Sequence, residues 1–286
     1  MNLVPSKFEG YGEIIAASIL WSLAGILGKM MIGMSAQSII FYRLAFASLI
    51  FFIVLLISGN LNKIRLKDKK IYLLLFSIMQ AMTMLTYFIA ILKASVSVAV
   101  LLLYTAPVYV TLLSPWLLKE HSTKKGIIAL IFSIVGILLI IDPGKLEFQG
   151  YSIGIIAGIV SGITYAFQII ISKYISQTYR GYTQAFWSFI IAVLILLPVG
   201  LAPVNVVSEN MIYLILLAIF PTIFAVSLYF NGLNKVKAQS ASILGLIEPV
   251  SAVILAVIIL KEDISNMELF GGALILIGAA IVTREK

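Results

Sequence analysis

Apolar residues form ten long runs along the chain, and short polar or charged stretches separate one run from the next. A helix needs about 20 apolar residues to cross roughly 30 Å of hydrocarbon. Each run meets that length, so the pattern predicts an all-α integral membrane protein with ten transmembrane helices. The predicted spans are residues 12–31, 37–58, 71–91, 95–118, 125–142, 152–176, 183–201, 209–232, 237–259 and 266–283.

The composition supports a lipid environment. Apolar residues make up 62% of the 286 positions and charged residues 11%, and the mean hydropathy is +1.12. Ordinary soluble domains contain about 45–50% apolar and about 25% charged residues. We therefore expect the lipid bilayer to be the solvent around most of the chain. Cysteine is absent, which excludes a disulfide framework.

The net charge of +8 would suggest nucleic acid in a soluble protein, but its distribution favours the positive-inside rule. If the N-terminus is cytoplasmic, 15 Lys and Arg residues flank the spans on the inside and 4 on the outside. This asymmetry predicts that both termini are cytoplasmic and that the protein lies in the plasma membrane. No nucleic-acid partner is expected.

A segment near the middle of the chain recurs near its end. Tyr104-Thr-Ala-Pro-Val returns as Leu246-Ile-Glu-Pro-Val, and both apolar runs that follow end in Leu-Lys-Glu, 142 positions apart. The same offset pairs Lys93 with Lys235 and Gly136 with Gly278. Internal duplication in a membrane protein is typical of transporters whose halves move about a central site.

A turn-rich stretch separates the two copies. Asp142-Pro-Gly-Lys through Gly150 predicts a first five-helix repeat over 1–142, a linker over 143–150 and a second five-helix repeat over 151–286. Five is an odd number, so the second repeat is expected to enter the membrane upside down relative to the first.

Polar residues inside the spans form stripes at helical spacing, as in Gln80, Thr83 and Tyr87. Such stripes occur in spans one, three, four, six, eight and nine, whereas spans five and ten are nearly bare. Because a polar stripe facing lipid is unfavourable, we expect a central cavity. The alternative for any single Ser or Thr is an interhelical hydrogen bond worth about 0.6 kcal/mol. The predicted solute-binding residues are Trp21, Gln80, Tyr87, Tyr104, Tyr165, Gln168, Tyr229 and Glu248.

Glu248 is the only acidic residue near the middle of a span. Two interpretations stand side by side: a proton or cation site, or a hydrogen-bonded carboxyl that caps carbonyls freed by Pro249. Pro107 and Pro249 are predicted helix kinks, because proline removes a backbone donor. Arg43 lies near the outer end of its span, where snorkelling to the interface is favoured over ligand binding.

Other residues are expected to be structural. Glu120 and Glu262 follow lysines at helix ends and are expected to form solvated pairs. Gly154, Gly158 and Gly162 allow close helix contact. Aromatic residues near span ends predict an interfacial belt of Tyr11, Tyr72, Trp116, Tyr151, Tyr174, Tyr179 and Tyr213.

The chain resembles the drug/metabolite transporter superfamily in its ten-helix EamA-type branch. The resemblance covers nearly the whole chain and rests on Ala106-Pro-Val to Glu120, Glu248-Pro-Val to Glu262, the glycines of spans five and ten, Trp21 to Lys29, and Arg43. It implies secondary transport by alternating access, without nucleotide hydrolysis and without a cofactor. The sequence departs from the family pattern at Lys119 and Lys261, where glycine often precedes the Glu, and at Trp187, which aligns with Arg43.

Catalytic residues and a metal site are not expected, since nucleophile and zincin motifs are absent and His121 is the only histidine. A channel would more naturally show rings of like residues. The predicted function is export of an amino acid or related neutral or zwitterionic solute, with a proton or another ion as possible coupling partner. The alternative is efflux of drugs or organic cations with Glu248 as the proton or cation site. The sequence sets no oligomeric state.

Overall fold

A computed structural model describes residues 7–141, 152–261 and 263–284, and every regular element within these ranges is a helix. Ten stretches are long and apolar enough to cross a membrane, which confirms the predicted all-α, ten-span architecture. We call them span one to span ten. Their bounds are Lys7–Lys29, Ala36–Ile57, Lys70–Lys93, Val96–Leu117, Lys124–Ile141, Ser152–Ile175, Gly181–Gly200, Met211–Lys235, Ala238–Leu260 and Asn266–Thr283.

The two ends of the bundle differ in the loops that they carry. The terminal face is the end at which span one begins and span ten finishes, and it carries the loops 58–69, 118–123, 176–180 and 236–237. The opposite face carries the loops 30–35, 94–95 and 201–210, together with residues 261 and 263–265. The predicted linker over 143–150 lies outside the described residues.

Serine is the N-cap residue of three of the spans. The Ser35 hydroxyl accepts from the backbone N–H of Ser38, and the Ser95 hydroxyl accepts from that of Val98. Ser265 forms a capping box with Glu268. Each hydroxyl satisfies a backbone donor that has no partner within the first helical turn, so these positions fix where spans two, four and ten begin.

Spans four and nine both end on a lysine in the left-handed conformation. The φ angles are 57° at Lys119 and 59° at Lys261. This is the conformation that glycine favours just past a helix C-terminus, because a Cβ is strained there. The two lysines therefore lie at positions whose backbone conformation a glycine would adopt without strain. Glu262, which follows Lys261, lies outside the described residues.

The closest packing joins the first five spans to the last five. Span three packs against span six, span one against spans eight and nine, span two against span seven, and span five against span ten. Span six packs against span four as well. Exchanging each span for the one five places away maps these pairs onto one another. The interior of the bundle is thus an interface between residues 7–141 and residues 152–284.

Glycine allows two of these contacts. A Cβ at Gly162 of span six would lie 2.5 Å from the Leu102 carbonyl oxygen of span four. A Cβ at Gly136 of span five would lie 2.6 Å from the Gly271 carbonyl oxygen of span ten. Real Cβ atoms do not approach backbone that closely, so both helix pairs depend on a residue without a side chain.

Spans four and nine are interrupted at matching places. Span four consists of helices Val96–Leu103 and Ala106–Leu117, and span nine of Ala238–Gly245 and Ile247–Leu255 with a π-helical turn over Ala256–Leu260. Pro107 and Pro249 lie in the first turn of the second segment in each case. Proline is tolerated there because its missing N–H would have no intrahelical partner.

The predicted aromatic belt needs correction at two positions. Trp116 is 84% exposed on the outer surface of the bundle, and Tyr72 and Tyr174 are also exposed. Tyr11 and Tyr179, in contrast, are buried. The Tyr179 hydroxyl bonds to the backbone of Lys67 in the 58–69 loop, so tertiary packing rather than the membrane interface positions this ring. Tyr151 lies outside the described residues.

Candidate functional site

A cavity of about 200 Å³ lies within the bundle. It is lined by side chains of spans one, two, three, four, six, eight and nine. No described residue of span five or span ten reaches it. The lining combines aromatic rings, amides and one pair of opposite charges: Trp21, Ala24, Ile40, Arg43, Gln80, Thr83, Met84, Tyr87, Leu103, Tyr104, Tyr165, Gln168, Val226, Phe230 and Glu248.

Most of the residues that the sequence selected for solute binding lie on this cavity. The exception among the eight is Tyr229, which is fully buried behind the lining. Its ring packs against the ring of Trp21, with 4.9 Å between the centroids. Val226 and Phe230 of the same helix reach the cavity instead. Tyr229 therefore packs behind Trp21 and does not line the cavity, because the helix face that lines the cavity is the one that carries Val226 and Phe230.

Glu248 lies near the middle of span nine. It is ten residues beyond the start of span nine at Ala238, which corresponds to about 15 Å of helix rise. The interruption at Leu246 immediately precedes it. The Tyr104 hydroxyl of span four interacts with its carboxyl group. The two interrupted helices thus contribute one polar group each to the same point of the cavity.

Arg43 faces the cavity, and the prediction that it snorkels to the interface is wrong. Its Nε donates to the Thr222 hydroxyl of span eight at 3.1 Å, and its guanidinium interacts electrostatically with Glu248. Because span two packs against the last five spans, its inner face is shielded from lipid and the guanidinium finds its partners inside. The sequence did contain a signal for this contact: Arg43 is a basic residue inside a span, and Glu248 is an acidic residue inside another span that could balance its charge.

A distortion of span eight prepares the Arg43 contact. The helix opens into a π-helical turn over Ala218–Phe224, around Pro221. Within it the Thr222 hydroxyl donates to the Leu217 carbonyl at 2.7 Å, which leaves its oxygen to accept from Arg43. Single π-helical turns are frequent at functional sites. Thr222 is not among the eight predicted solute-binding residues, and its position beside Pro221 within span eight was the signal in the sequence.

Amide and hydroxyl groups join spans three and six beside the cavity. The Gln168 amide donates to the Gln80 side-chain carbonyl. One helical turn away, the Thr83 hydroxyl donates to the Thr164 hydroxyl at 2.8 Å. The two glutamines are therefore cavity residues and cross-links at once. A solute that bonds to either amide competes with this pair.

Between the cavity and the terminal face, charged residues form ion pairs and hydrogen bonds that connect neighbouring spans. We call Glu9, Glu13, Glu120, Lys173 and Lys235 the terminal-face network. Lys235 at the end of span eight lies 3.0 Å from Glu9 and 2.8 Å from Glu13 of span one. The Lys173 ammonium at the end of span six donates to three carbonyls around the end of span eight, those of Leu233, Asn234 and Val236.

Glu120 belongs to this network, which corrects the expected solvated pair with Lys119. Its carboxylate accepts from the backbone N–H of Ala238 at 2.8 Å and lies 3.7 Å from Lys173. Ala238 is the first residue of span nine. The carboxylate therefore caps that helix, where the positive end of the helix dipole favours a negative charge. It also links the end of span four to the start of span nine.

Within the described part of the chain, no group of three His, Cys, Asp or Glu side chains is arranged to hold a metal ion. The acidic residue of the cavity is Glu248, and its charged neighbour is Arg43. The arrangement can bind a carboxylate through the guanidinium and a cation through the carboxylate and the surrounding rings.

Comparison with known proteins identifies related chains over almost the full length. The model of the EamA-like transporter family matches residues 9–142 and 152–284. An uncharacterized transporter of Archaeoglobus fulgidus is 32% identical over 277 residues, which cover 96% of this chain and 97% of the relative. An uncharacterized inner membrane transporter of Salmonella typhimurium is 27% identical over 294 residues, which cover 98% and 97%.

A solved structure has the same fold. A protein crystal structure superimposes with a TM-score of 0.81 and covers 95% of both chains, at 17% sequence identity. At that identity the similarity concerns the arrangement of the helices alone.

Proposed function

This chain belongs to the EamA-like transporter family, and on that premise we propose that it exports an amino acid or a related zwitterionic solute through the central cavity. Transport is secondary and follows alternating access of the first and last five spans, which we take as inverted repeats. The terminal face is cytoplasmic, and the protein lies in the plasma membrane. The proposal rests chiefly on the facing charges of Arg43 and Glu248 in the cavity wall.

The pair of charges matches the two charges of a zwitterion. The Arg43 guanidinium can bind a carboxylate through two parallel hydrogen bonds. The Glu248 carboxylate, with Trp21 and the tyrosine rings around it, suits an ammonium group. An isolated charge in the membrane interior is unfavourable, and the electrostatic interaction between Arg43 and Glu248 reduces that cost. A zwitterionic solute replaces this pairing without leaving either charge alone.

The size of the cavity favours a small metabolite. Its volume of about 200 Å³ is below the roughly 300–1,000 Å³ of pockets that hold drug-sized ligands. Efflux of organic cations, with Glu248 as the proton or cation site, is the second candidate, and the aromatic rings favour it. Arg43 argues against it, because a bound cation would meet the guanidinium within the same wall.

The packing of the spans supports alternating access. The cavity and the terminal-face network both lie between the first and last five spans. Opening a path from the cavity to the terminal face requires separation of Glu120 from Ala238 and of Lys235 from Glu13. These bonds mark the state described here as closed at that face. The positive-inside distribution of charge assigns this face to the cytoplasm.

The test is uptake of a labelled metabolite panel into inside-out vesicles, with and without a pH gradient. The panel contains amino acids, organic cations and organic anions. Wild type should accumulate zwitterions, and Glu248→Gln and Arg43→Gln should each abolish this uptake. Asp263→Asn and Arg284→Gln remove exposed charges outside the cavity and serve as matched controls. Preferential uptake of organic cations that survives in Arg43→Gln would establish the second candidate instead.

A further inference from the structure

The loop of residues 58–69 lies against the start of span seven at the terminal face. Its backbone is fixed there by two side chains of that region. The Thr183 hydroxyl donates to the Lys63 carbonyl at 2.7 Å, and the Tyr179 hydroxyl donates to the Lys67 carbonyl at 2.7 Å. The Lys67 N–H donates back to the same tyrosine oxygen at 2.8 Å. The loop therefore holds a defined shape against span seven.

This contact creates a pocket lined by basic side chains. We call it the basic pocket; its volume is about 300 Å³, and Lys63, Lys67 and Arg180 line it with Asn62, Thr178 and Tyr182. Asp68, the acidic residue of the loop, does not line it, and neither does any other described acidic residue. Among the described residues, the three cationic side chains have no salt-bridge partner. The pocket therefore presents uncompensated positive charge.

An apolar groove continues from the basic pocket along span seven. Thr183 lines the pocket, and Trp187 and Ile191 line the groove. These positions are four and eight residues apart, so they share one face of the helix, about 6 and 12 Å deeper into the membrane. The Trp187 indole N–H donates to the Ile64 carbonyl at 2.9 Å. The other side of the groove is formed by Leu66, Ile71, Leu73 and Leu74.

We propose that the basic pocket and the apolar groove together bind one anionic phospholipid. The phosphate contacts Lys63, Lys67 and Arg180 at headgroup depth, and one acyl chain lies along Trp187 and Ile191. Charge complementarity selects the headgroup, because the pocket has no carboxylate to pair with the ammonium of a zwitterionic headgroup. The groove selects a lipid over a free phosphate, since a soluble anion has no use for an apolar surface at acyl depth.

The site joins the two parts of the bundle. Lys63 and Lys67 precede span three, whereas Arg180 precedes span seven, and spans three and seven pack against each other. A phosphate bound by all three side chains therefore adds a link between the first and last five spans at the terminal face. The lipid is expected to favour the state in which this face is closed. This inference requires only that the protein spans the membrane, and it is independent of the transported solute.

Trp187 supplies the probe for a direct test. The protein is reconstituted into phosphatidylcholine vesicles that contain increasing fractions of phosphatidylglycerol with brominated acyl chains, which quench tryptophan on contact. The variant Trp116→Phe removes the exposed tryptophan of span four. Subtracting the signal of Trp116→Phe/Trp187→Phe isolates Trp187. Quenching should saturate at a low fraction of the anionic lipid, whereas brominated phosphatidylcholine should quench only in proportion to its mole fraction.

Charge variants decide whether the basic pocket causes this preference. One lysine near an anionic membrane surface contributes about fivefold in affinity, so Lys63→Gln/Lys67→Gln should lower the preference for phosphatidylglycerol about 25-fold. Lys63→Arg/Lys67→Arg should keep it. Lys124→Gln/Lys125→Gln removes two exposed lysines at the same face and should leave it unchanged.

The proposal is overturned if both brominated lipids quench Trp187 equally in the Trp116→Phe protein whose basic pocket is unchanged. It is also overturned if the Lys124→Gln/Lys125→Gln control loses the preference as fully as the pocket variant, because general surface charge then explains it. Relief of the quenching by millimolar inorganic phosphate at constant ionic strength would identify a soluble-anion site rather than a lipid site.

Discussion

Spans four and nine have the same backbone design and different chemistry. Both are interrupted near their middle, both place a proline in the turn that follows, and both end on a left-handed lysine. At the interruption, however, span four carries Tyr104 and Ala106 where span nine carries Leu246 and Glu248. The backbone is duplicated, and the polar groups are not.

The difference gives each span one role at the cavity. Span nine supplies the carboxyl of Glu248, and span four supplies the Tyr104 hydroxyl that interacts with it. A second carboxyl at Ala106 would place like charges close together in the membrane interior, where they repel strongly. The difference between the two spans therefore leaves one carboxyl at the centre, balanced by Arg43. Two predictions test this division of roles, a third tests the contact between the end of span four and the start of span nine, and a fourth tests the shared backbone.

Glu248→Gln should cause the largest loss of solute binding. The carboxyl is the proposed partner of the solute ammonium, and losing an interaction with a charged group costs about 1.5–3 kcal/mol, or roughly ten- to a hundredfold in affinity. Equilibrium binding of a labelled amino acid to purified protein measures this effect. The double variant Ala106→Glu/Glu248→Ala moves the carboxyl from span nine to span four. It should not restore binding, because Tyr104 and Arg43 interact with a carboxyl at position 248.

Recovery of binding in the transfer variant to within tenfold of wild type would mean that the two interruptions are interchangeable. Asp263→Asn is the control for the loss of one acidic residue, since Asp263 is exposed at the opposite face.

Tyr104→Phe should cause an intermediate loss. The substitution removes the hydroxyl that interacts with Glu248 and keeps the ring. Loss of a hydroxyl interaction of this kind costs about 0.5–1.5 kcal/mol, so affinity should fall by about two- to tenfold. Tyr109→Phe removes a hydroxyl from the same span outside the cavity lining and should bind normally. Equal effects of the two variants would show that the Tyr104 hydroxyl has no special role.

Glu120→Gln should loosen the contact between the end of span four and the start of span nine. The amide can still accept from Ala238 but loses its charge interaction with Lys173, and ion pairs near a surface contribute about 1 kcal/mol or less. The chain contains no cysteine, so Ser240→Cys introduces a single label site beside Glu120. Labelling of this buried site by a membrane-impermeant maleimide should accelerate several-fold, while His121→Gln should leave it unchanged. If labelling is not accelerated, Glu120 does not help to keep the terminal face closed.

Lys119→Gly and Lys261→Gly should produce the smallest changes, and both should stabilise. Each lysine has a positive φ, which costs a residue with a side chain about 1 kcal/mol relative to glycine. Urea or thermal unfolding in detergent should therefore show a gain of up to about 1 kcal/mol for each variant, and Lys→Ala at the same positions should show none. A gain at one position only would indicate that the two helix ends are not equivalent.

The sequence was sufficient for the ten spans and for most of the cavity wall. Helical periodicity decides which residues share a face, and a polar face such as Gln80–Tyr87 has to avoid lipid, so its direction follows. The same reasoning failed for Arg43, because depth along a span does not reveal which helix packs against it. Tyr179 and Glu120 were misassigned for a related cause: their partners, Lys67 and Ala238, lie over a hundred positions away.

The most direct test of the proposed recognition compares three ligands that differ in one charge each: an amino acid, its amine without the carboxylate, and its acid without the amine. Binding of each is measured to wild type, Arg43→Gln and Glu248→Gln. If Arg43 binds the carboxylate and Glu248 the ammonium, wild type should bind the amino acid more tightly than either analogue. Arg43→Gln should bind the amino acid and the amine equally, and Glu248→Gln should bind the amino acid and the acid equally. If wild type binds the amino acid and the amine equally, and Arg43→Gln binds both as wild type does, the proposed role of Arg43 in carboxylate binding is contradicted.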